Sequence, residues 1–394
     1  MIPVLVRRRT FAAVLACLGL LLIGWSGLLV PSLSREVEAA FGQTDVGLGE
    51  FYFVTAAVYA VGSLGGGFAT ERFGRRSVLV LAFCIHAAGL VGLGIAPGWA
   101  AFVVAGLLRS MGAGAIDGGL NGLIVDLYDR SRGRILALAH LFYALGAVGA
   151  PILLAFREPL GLSWQAVAVA TGLVAVPLVA LLAVTYLADG RHQAASAASG
   201  AASMLALPLV VLAVAIGCYV TCSNGVSSWL VRFLAAAPAG VATSALGLFW
   251  AGLVAGRIAA ALTADRFDHL KLVTAAAAAT AAGIVAAVLV PSLEASIALF
   301  ALAGFTAGPV YPLIMAIGGE RFPTRAAAMS GILTAAGVVG TLSYPPLMGV
   351  ISVTVGLPVA MLGTAVFGAG AAIALLVLGR MAASAAAEPA ASGS

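Results

Sequence analysis

The chain has 394 residues, 62% of them hydrophobic and only 9% charged, with a formal net charge of +5. A soluble domain carries about 25% charged residues, so this composition excludes a soluble globular protein and assigns most of the surface to lipid. The positive balance has a topological explanation, given below, and does not point to nucleic acid.

Apolar stretches long enough to cross a bilayer as helices fall at 11–33, 49–70, 77–96, 100–124, 135–156 and 164–188. After a gap come 205–233, 242–264, 271–290, 294–318, 327–350 and 356–380. The predicted fold is therefore an all-α membrane protein with twelve transmembrane helices in two pseudo-symmetric six-helix bundles, both termini cytoplasmic. Three arginines, Arg7, Arg8 and Arg9, precede the first stretch. Its apolar run is too long for a signal peptide and lacks a small-residue cleavage site, so it reads as an uncleaved helix.

With the N-terminus inside, fifteen Lys and Arg residues fall on the cytoplasmic side and three outside, Arg35, Arg157 and Arg232. That asymmetry sets the orientation by the positive-inside rule and places the protein in the cytoplasmic (inner) membrane as a multi-pass chain. Glu36, Glu38, Asp45 and Glu50 crowd the first outside loop. Arg109 and Arg257 fall within spans.

Span two ends in GGGFATERFGRRSVL and span eight in AALTADRFDHLKLV, an acid-Arg-Phe core at matching places. Span four leads into YDRSRGRILAL and span ten into ERFPTRAAAMSGIL. Such an internal repeat is a transporter architecture, with sites expected near the midplane between the halves. The predicted organisation is a bundle over 1–188, a flexible Ala/Ser/Gly-rich cytoplasmic linker over 189–204, a second bundle over 205–380 and a disordered tail over 381–394. Glycines form small-xxx-small pairs that permit close helix approach: Gly62 with Gly66, Gly114 with Gly118, Gly252 with Gly256, and Gly304 with Gly308. Gly225, Pro309, Pro312 and Pro345 mark places where spans seven, ten and eleven are expected to bend or break.

Span four holds the most informative residue, Asp117, in the run LLRSMGAGAIDGGLNGLI. A charge at the bilayer centre costs about 3 kcal/mol on insertion scales and marks a functional site by default. Proton coupling is the sharp reading, and a packing Asp hydrogen-bonded to a neighbouring helix is the plain one. Asn121, four residues on, stacks on the same face. Arg109 has drifted about 80° around the helix from Asp117; it is a candidate cavity charge or a snorkelling Arg. In span five, His140 is a candidate partner for the proton and equally a packing histidine. His86 in span three reads as packing.

The segment 67–76, GFATERFGRR, resembles the loop 2–3 signature of the major facilitator superfamily in Gly67, Glu71, Arg72, Gly74, Arg75 and Arg76. The resemblance covers the whole chain. It implies a conformational gate in which these charges bias the outward-facing state; the alternative is that the arginines only mark topology. In the second copy Asp268 replaces the glycine. GAGAIDGGLN, ALAHLFYALGAVGAP, CYVTCSNGVSSWLVRFL and GPVYPLIMAIGGERFP further resemble the fucose-permease-like branch of proton-linked sugar symporters. That likeness implies a proton-coupling pair, Asp117 and His140. The span-one acid of the fucose permease has no counterpart in GWSGLLVPSL, and Ser223 stands where many relatives have Glu.

Spans one, four, seven and ten line the cavity of this family, which implies substrate contacts at Trp25, Asn121, Tyr219, Ser223, Asn224, Ser227, Trp229 and Tyr311, with Tyr143 joining from span five. Aromatic faces with neutral hydrogen-bonding groups suit an uncharged, polyhydroxylated solute. Trp and Tyr are also ordinary interfacial anchors.

The expected function is proton-coupled symport of a sugar or similar small neutral solute by alternating access. The alternative is a proton-coupled efflux antiporter for drugs or apolar metabolites, supported by Arg109 and by GAVGAP at 146–151. A passive facilitator is a further option. No catalytic constellation is visible, so an enzyme is not expected. Cys17, Cys84, Cys218 and Cys222 all fall in spans with no metal-ligand spacing. No cofactor, metal or nucleic acid is expected beyond a coupling proton. The expected partners are the solute and the bilayer, and the protein is expected to work as a monomer.

Overall fold

The computed structural model describes residues 9–127, 132–185, 207–322 and 325–387. The expected linker (189–204) lies outside the described residues. The helices of the first part are α1 (Arg9–Ser32), α2 (Ser34–Phe41), α3 (Asp45–Phe73), α4 (Arg75–Ile95), α5 (Trp99–Leu127), α6 (Arg132–Ala155) and α7 (Trp164–Val184). Those of the second are α8 (Leu207–Phe233), α9 (Ala239–Thr263), α10 (His269–Leu289), α11 (Leu293–Ala307), α12 (Val310–Arg321), α13 (Ala326–Val355) and α14 (Leu357–Ala387). Among the described residues, twelve spans are long and apolar enough to cross a membrane, as the sequence predicts. Seven residues expected in a disordered tail continue α14 as MAASAAA, because alanine is the strongest helix former. The last residues, 388–394, lie outside the described ones.

Helix starts follow capping chemistry. Ser163 Oγ accepts from Ala166 N, Asp268 Oδ1 from Lys271 N and Ser292 Oγ from Ala295 N, each satisfying an orphan N–H of a first turn. Asp268, which departs from the glycine of the repeated loop, thus begins α10. Its counterpart Gly74 joins α3 to α4 with φ +80°, a conformation that favours glycine.

Span ten breaks between α11 and α12 at Gly308–Pro309, where Pro309 has no N–H to continue the ladder. Gly225 and Pro345 do not break their spans; α8 and α13 run through them.

The chain divides into two compact units. One comprises Met1–Gln193 with Ser228–Gly247, and the other Ala194–Ser227 with Leu248–Ser394. The end of α8 and the start of α9 therefore belong to the first unit, although the sequence assigns them to the second bundle. Polar contacts explain it: Tyr52 Oη donates to Ser228 O (3.2 Å), Arg35 Nη1 to Ala237 O (2.8 Å) and Thr243 Oγ1 to Ser32 O (3.1 Å).

Each unit has its own apolar core. In the first, Leu20, Phe83, Ile116 and Leu120 are buried together; in the second, Leu212, Ile216, Val310 and Leu375. The paired glycines mate in both. Gly62 and Gly66 of α3 pack on Met111 and Ala115 of α5, while Gly114 and Gly118 pack back on Tyr59 and Ser63. In the second unit Gly252 and Gly256 of α9 pack on Ala301 and Phe305 of α11, while Gly304 and Gly308 pack on Phe249 and Leu253. A methyl group added at any of the eight would overlap the facing helix, so both crossings depend on backbone approach that only glycine allows.

Candidate functional site

The glycine crossing of α3 and α5 brings a tyrosine to the membrane acid. Tyr59 Oη donates to Asp117 Oδ2 at 2.9 Å, and Asn121 Nδ2 donates to Asp117 Oδ1 at 3.0 Å. Both donors are neutral, and no cation pairs with Asp117 among the described residues. Asp117 and Asn121 are half-buried. The two bonds fix the orientation of the carboxylate against α3 and along its own helix.

Arg109, Tyr59 and Tyr143 lie within electrostatic reach of one another around this acid. Arg109 Nη1 donates to Ser26 O (3.2 Å) and Nη2 to Ser110 Oγ (3.0 Å), while its Nε is buried with no partner. It does not snorkel; it turns inward toward α1. Tyr143 of α6 approaches α1 at Gly24 and Gly27. His86 is fully buried and bonds the Arg109 carbonyl through Nδ1 at 2.8 Å, which makes it a packing residue that fixes the backbone under Arg109. His140 is half-buried on α6, one turn before Tyr143.

Other predicted contacts are placed differently. Trp25 Nε1 donates to Thr171 Oγ1 of α7 (3.1 Å), and its ring faces Gly149, so its polar atom is spent on helix packing. Trp229 is 0% exposed and lies edge-on to Tyr52 with ring centroids 5.8 Å apart. It is a buried wedge in the first unit, because its helix end is seated there.

In the second unit, Ser223 Oγ donates back to Tyr219 O (3.1 Å) and Ser227 Oγ to Ser223 O (2.8 Å). Asn224 Nδ2 reaches across to Thr341 Oγ1 of α13 at 2.8 Å. The Tyr219 and Tyr311 rings lie 6.5 Å apart, and Tyr219 lies within electrostatic reach of Arg257, whose Nε is buried without a hydrogen-bond partner. An apolar groove of about 500 Å³ runs between α8 and α13, past Leu209, Ala213, Gly217, Ile332 and Ala336. None of the predicted substrate residues lines it.

In the loop motif, Arg75 is buried at the start of α4, with its guanidinium against Gly122 of α5. Arg72 and Arg76 are exposed, and Arg72 lies over the Phe73 ring at 5.6 Å. Gly67 is exposed on α3, and the side chain of Glu71 lies outside the described residues. No group of His, Cys, Asp or Glu that could hold a metal occurs among the described residues.

Tyr59 was missed in the sequence. Its signal was available, since it precedes the Gly62 and Gly66 pair by one turn on the helix that mates with Gly114 and Gly118, the glycines flanking Asp117.

A sequence model described as Major Facilitator Superfamily matches residues 11–236. The Protein TsgA of Salmonella arizonae is 25% identical over 227 residues, 56% of this chain and 57% of that protein, so the match spans little more than half of either. Among solved structures, a bacterial homologue of the human lysosomal transporter Spinster superposes with TM-score 0.78 at 16% identity, covering 94% of this chain and 97% of that one. The nucleoside transporter NupG gives 0.73 at 12%, covering 94% and 99%. The E. coli fucose:proton symporter FucP gives 0.64 at 18%, covering 94% and 98%.

Proposed function

The chain belongs to the major facilitator superfamily, a family of membrane transporters, and on that premise we propose that it carries a small polar solute in symport with a proton bound at Asp117. The observation that carries the proposal is the Asp117 carboxylate, held by two neutral donors, Tyr59 and Asn121. An acid in the membrane with no cation is stable when protonated and costly when bare. Loading a proton thus favours the closed, dehydrated site, and losing it favours opening. His140 on α6 is the second group assigned to the coupling. Asn121, whose Oδ1 is buried without a partner, and the ring faces of Tyr59 and Tyr143 suit a hydroxylated solute such as a sugar, and Arg109 supplies a fixed positive end. Tyr219, Asn224 and Tyr311 give the second unit its own neutral polar surface. The loop 67–76 supplies the conformational bias.

The printed title of the fucose symporter gives sugar and proton together, and that of the nucleoside transporter another hydroxylated solute. Both support the solute class by analogy only. Efflux of an apolar metabolite is the second reading, favoured by the apolar groove between α8 and α13. The coupling ion, the cytoplasmic membrane and the monomeric state belong to the same proposal.

The test is internal pH in lightly buffered proteoliposomes on adding a panel of sugars, nucleosides and apolar efflux substrates, wild type beside Asp117→Asn. Solute-dependent proton entry that vanishes in the variant is expected. Solute flux unchanged in the variant and indifferent to the proton gradient would reduce Asp117 to a packing residue and the protein to a facilitator.

A further inference from the structure

The short helix α2 and the start of α3 bring together two further buried carboxylates, Glu38 and Asp45. Arg232 Nε, in the last turn of α8, contacts Glu38 Oε2 at 2.7 Å and Asp45 Oδ1 at 2.8 Å. Glu38 is 8% exposed and Asp45 7%. One cation therefore faces two buried acids. If both were ionised, the cluster would hold a net negative charge away from water, at a cost of several kcal/mol. Glu38 Oε1 is also buried and receives no donor. A proton held between Glu38 and Asp45 removes one of the two charges and gives the pair a hydrogen bond, with one carboxyl donating to the other.

The platform beneath is rigid. Phe41, in the last turn of α2, packs on Phe102 and Trp99 with ring centroids 5.1 and 6.0 Å away, and Val37 is fully buried. What the acids hold is the segment Ser228–Gly247, through Arg232 itself and alongside the bonds from Tyr52, Arg35 and Thr243. The remaining charges on α2 are engaged elsewhere: Glu36 pairs with Arg157, which also contacts Glu158, and Arg35 serves Ala237 O. Tyr52 of α3 completes the groups near Glu38.

We propose that Glu38 and Asp45 share one proton beneath Arg232, forming a second proton-binding site that ties the seating of Ser228–Gly247 to the pH at that end of the molecule. By the arginine count, that end faces outward. The sign is fixed by linkage. Burial and the neighbouring Asp45 push the Glu38 carboxyl up to about 8, with Arg232 pulling the other way, against an ordinary value of 4.5. Seating the segment thus takes up a proton. The seated form gains as pH falls through about 8 and gains nothing further below the ordinary carboxylate value. Between those limits each unit of pH changes the seated-to-released ratio by up to about tenfold. This site does not depend on Asp117 being the coupling acid.

The experiment uses spin labels at Ala40→Cys and Ala236→Cys, both exposed, in full-length protein whose four native cysteines are replaced by serine. Distances between labels in lipid would be followed from about pH 6 to about pH 10, alongside the infrared band of protonated carboxyl groups. In wild type a single short distance at low pH should broaden as pH rises through about 8, with loss of a carboxyl band at the same midpoint. Glu38→Gln should keep the short distance throughout and lack the band. Asp45→Asn should move the midpoint down, because Glu38 then faces Arg232 alone. The same titration should persist in Asp117→Asn, which separates this site from the coupling acid. A wild-type pH profile in Glu38→Gln, an unmoved midpoint in Asp45→Asn, or no carboxyl band to lose in wild type would each overturn the proposal.

Discussion

The two units share a skeleton and differ in charge. Gly62, Gly66, Gly114 and Gly118 each find their counterpart, Gly252, Gly256, Gly304 and Gly308, at one constant offset along the chain, and the facing residues obey the same offset. At that offset Tyr59 corresponds to Phe249, Asp117 to Ala307 and Asn121 to Tyr311. The crossing that assembles a carboxylate with two donors in the first unit assembles only apolar groups and one tyrosine in the second. A duplicated packing device thus supports an unduplicated chemistry. Packing constrains both copies, whereas a membrane acid is expensive and is kept only where it acts.

The sharpest break of this comparison is in the shared skeleton. Gly66→Leu and Gly256→Leu should each abolish folded protein in detergent, because the added side chain meets the facing backbone and overpacking of this kind costs about 1–3 kcal/mol or more. Monodisperse recovery by size-exclusion chromatography measures it. Equal losses in the two variants would support equivalent crossings; a tolerated Gly256→Leu would show that only the first crossing is essential.

A smaller effect separates the chemistry. Tyr59→Phe removes one hydrogen bond to a carboxylate, worth about 1.5–3 kcal/mol, so proton-coupled uptake should fall roughly tenfold or more while the fold survives. Phe249→Tyr, the reciprocal change at the equivalent place, should leave uptake unaltered. Proton flux in proteoliposomes reads both, and an equal loss in the two would dissolve the asymmetry.

How far the sequence reveals this arrangement depends on what kind of signal each part leaves. The spans, the glycine pairs and the stacking of Asn121 on Asp117 follow from helical periodicity, which is local. Tyr59 depends on which helices cross, so it emerges only once α3 is set against α5. The setting of Trp229 was hidden for a related reason. Its aromatic ring among polar neighbours suggested a cavity wall, but the end of α8 is seated in the first unit and Tyr52 covers it. The pairing of Glu38 and Asp45 with Arg232 bridges about half the length of the chain; the sequence shows only an acidic loop and an outside Arg. Ser223 and Ser227 illustrate the opposite case. Polar residues in an apolar helix suggested ligand contacts, yet a serine one turn ahead of a carbonyl can satisfy itself.

That last distinction yields the smallest and most discriminating prediction, drawn within a single helix. Asn224 cannot satisfy its amide on its own helix and reaches α13 at Thr341, whereas Ser223 beside it bonds its own Tyr219 carbonyl. Removing a neutral interhelical hydrogen bond costs about 1 kcal/mol, and Thr341, which accepts from Asn224, keeps its own donation to Gly337 O at 3.2 Å. Asn224→Ala should therefore lower thermal stability by a few degrees and weaken apparent solute affinity severalfold, with proton stoichiometry unchanged. Ser223→Ala should stay within about 0.5 kcal/mol of wild type on both measures. If Ser223→Ala instead weakened solute affinity as much as Asn224→Ala, its hydroxyl would have to leave the backbone and meet the solute. The polar surface of the second unit would then reach one residue further along α8 than the static hydrogen bonds allow.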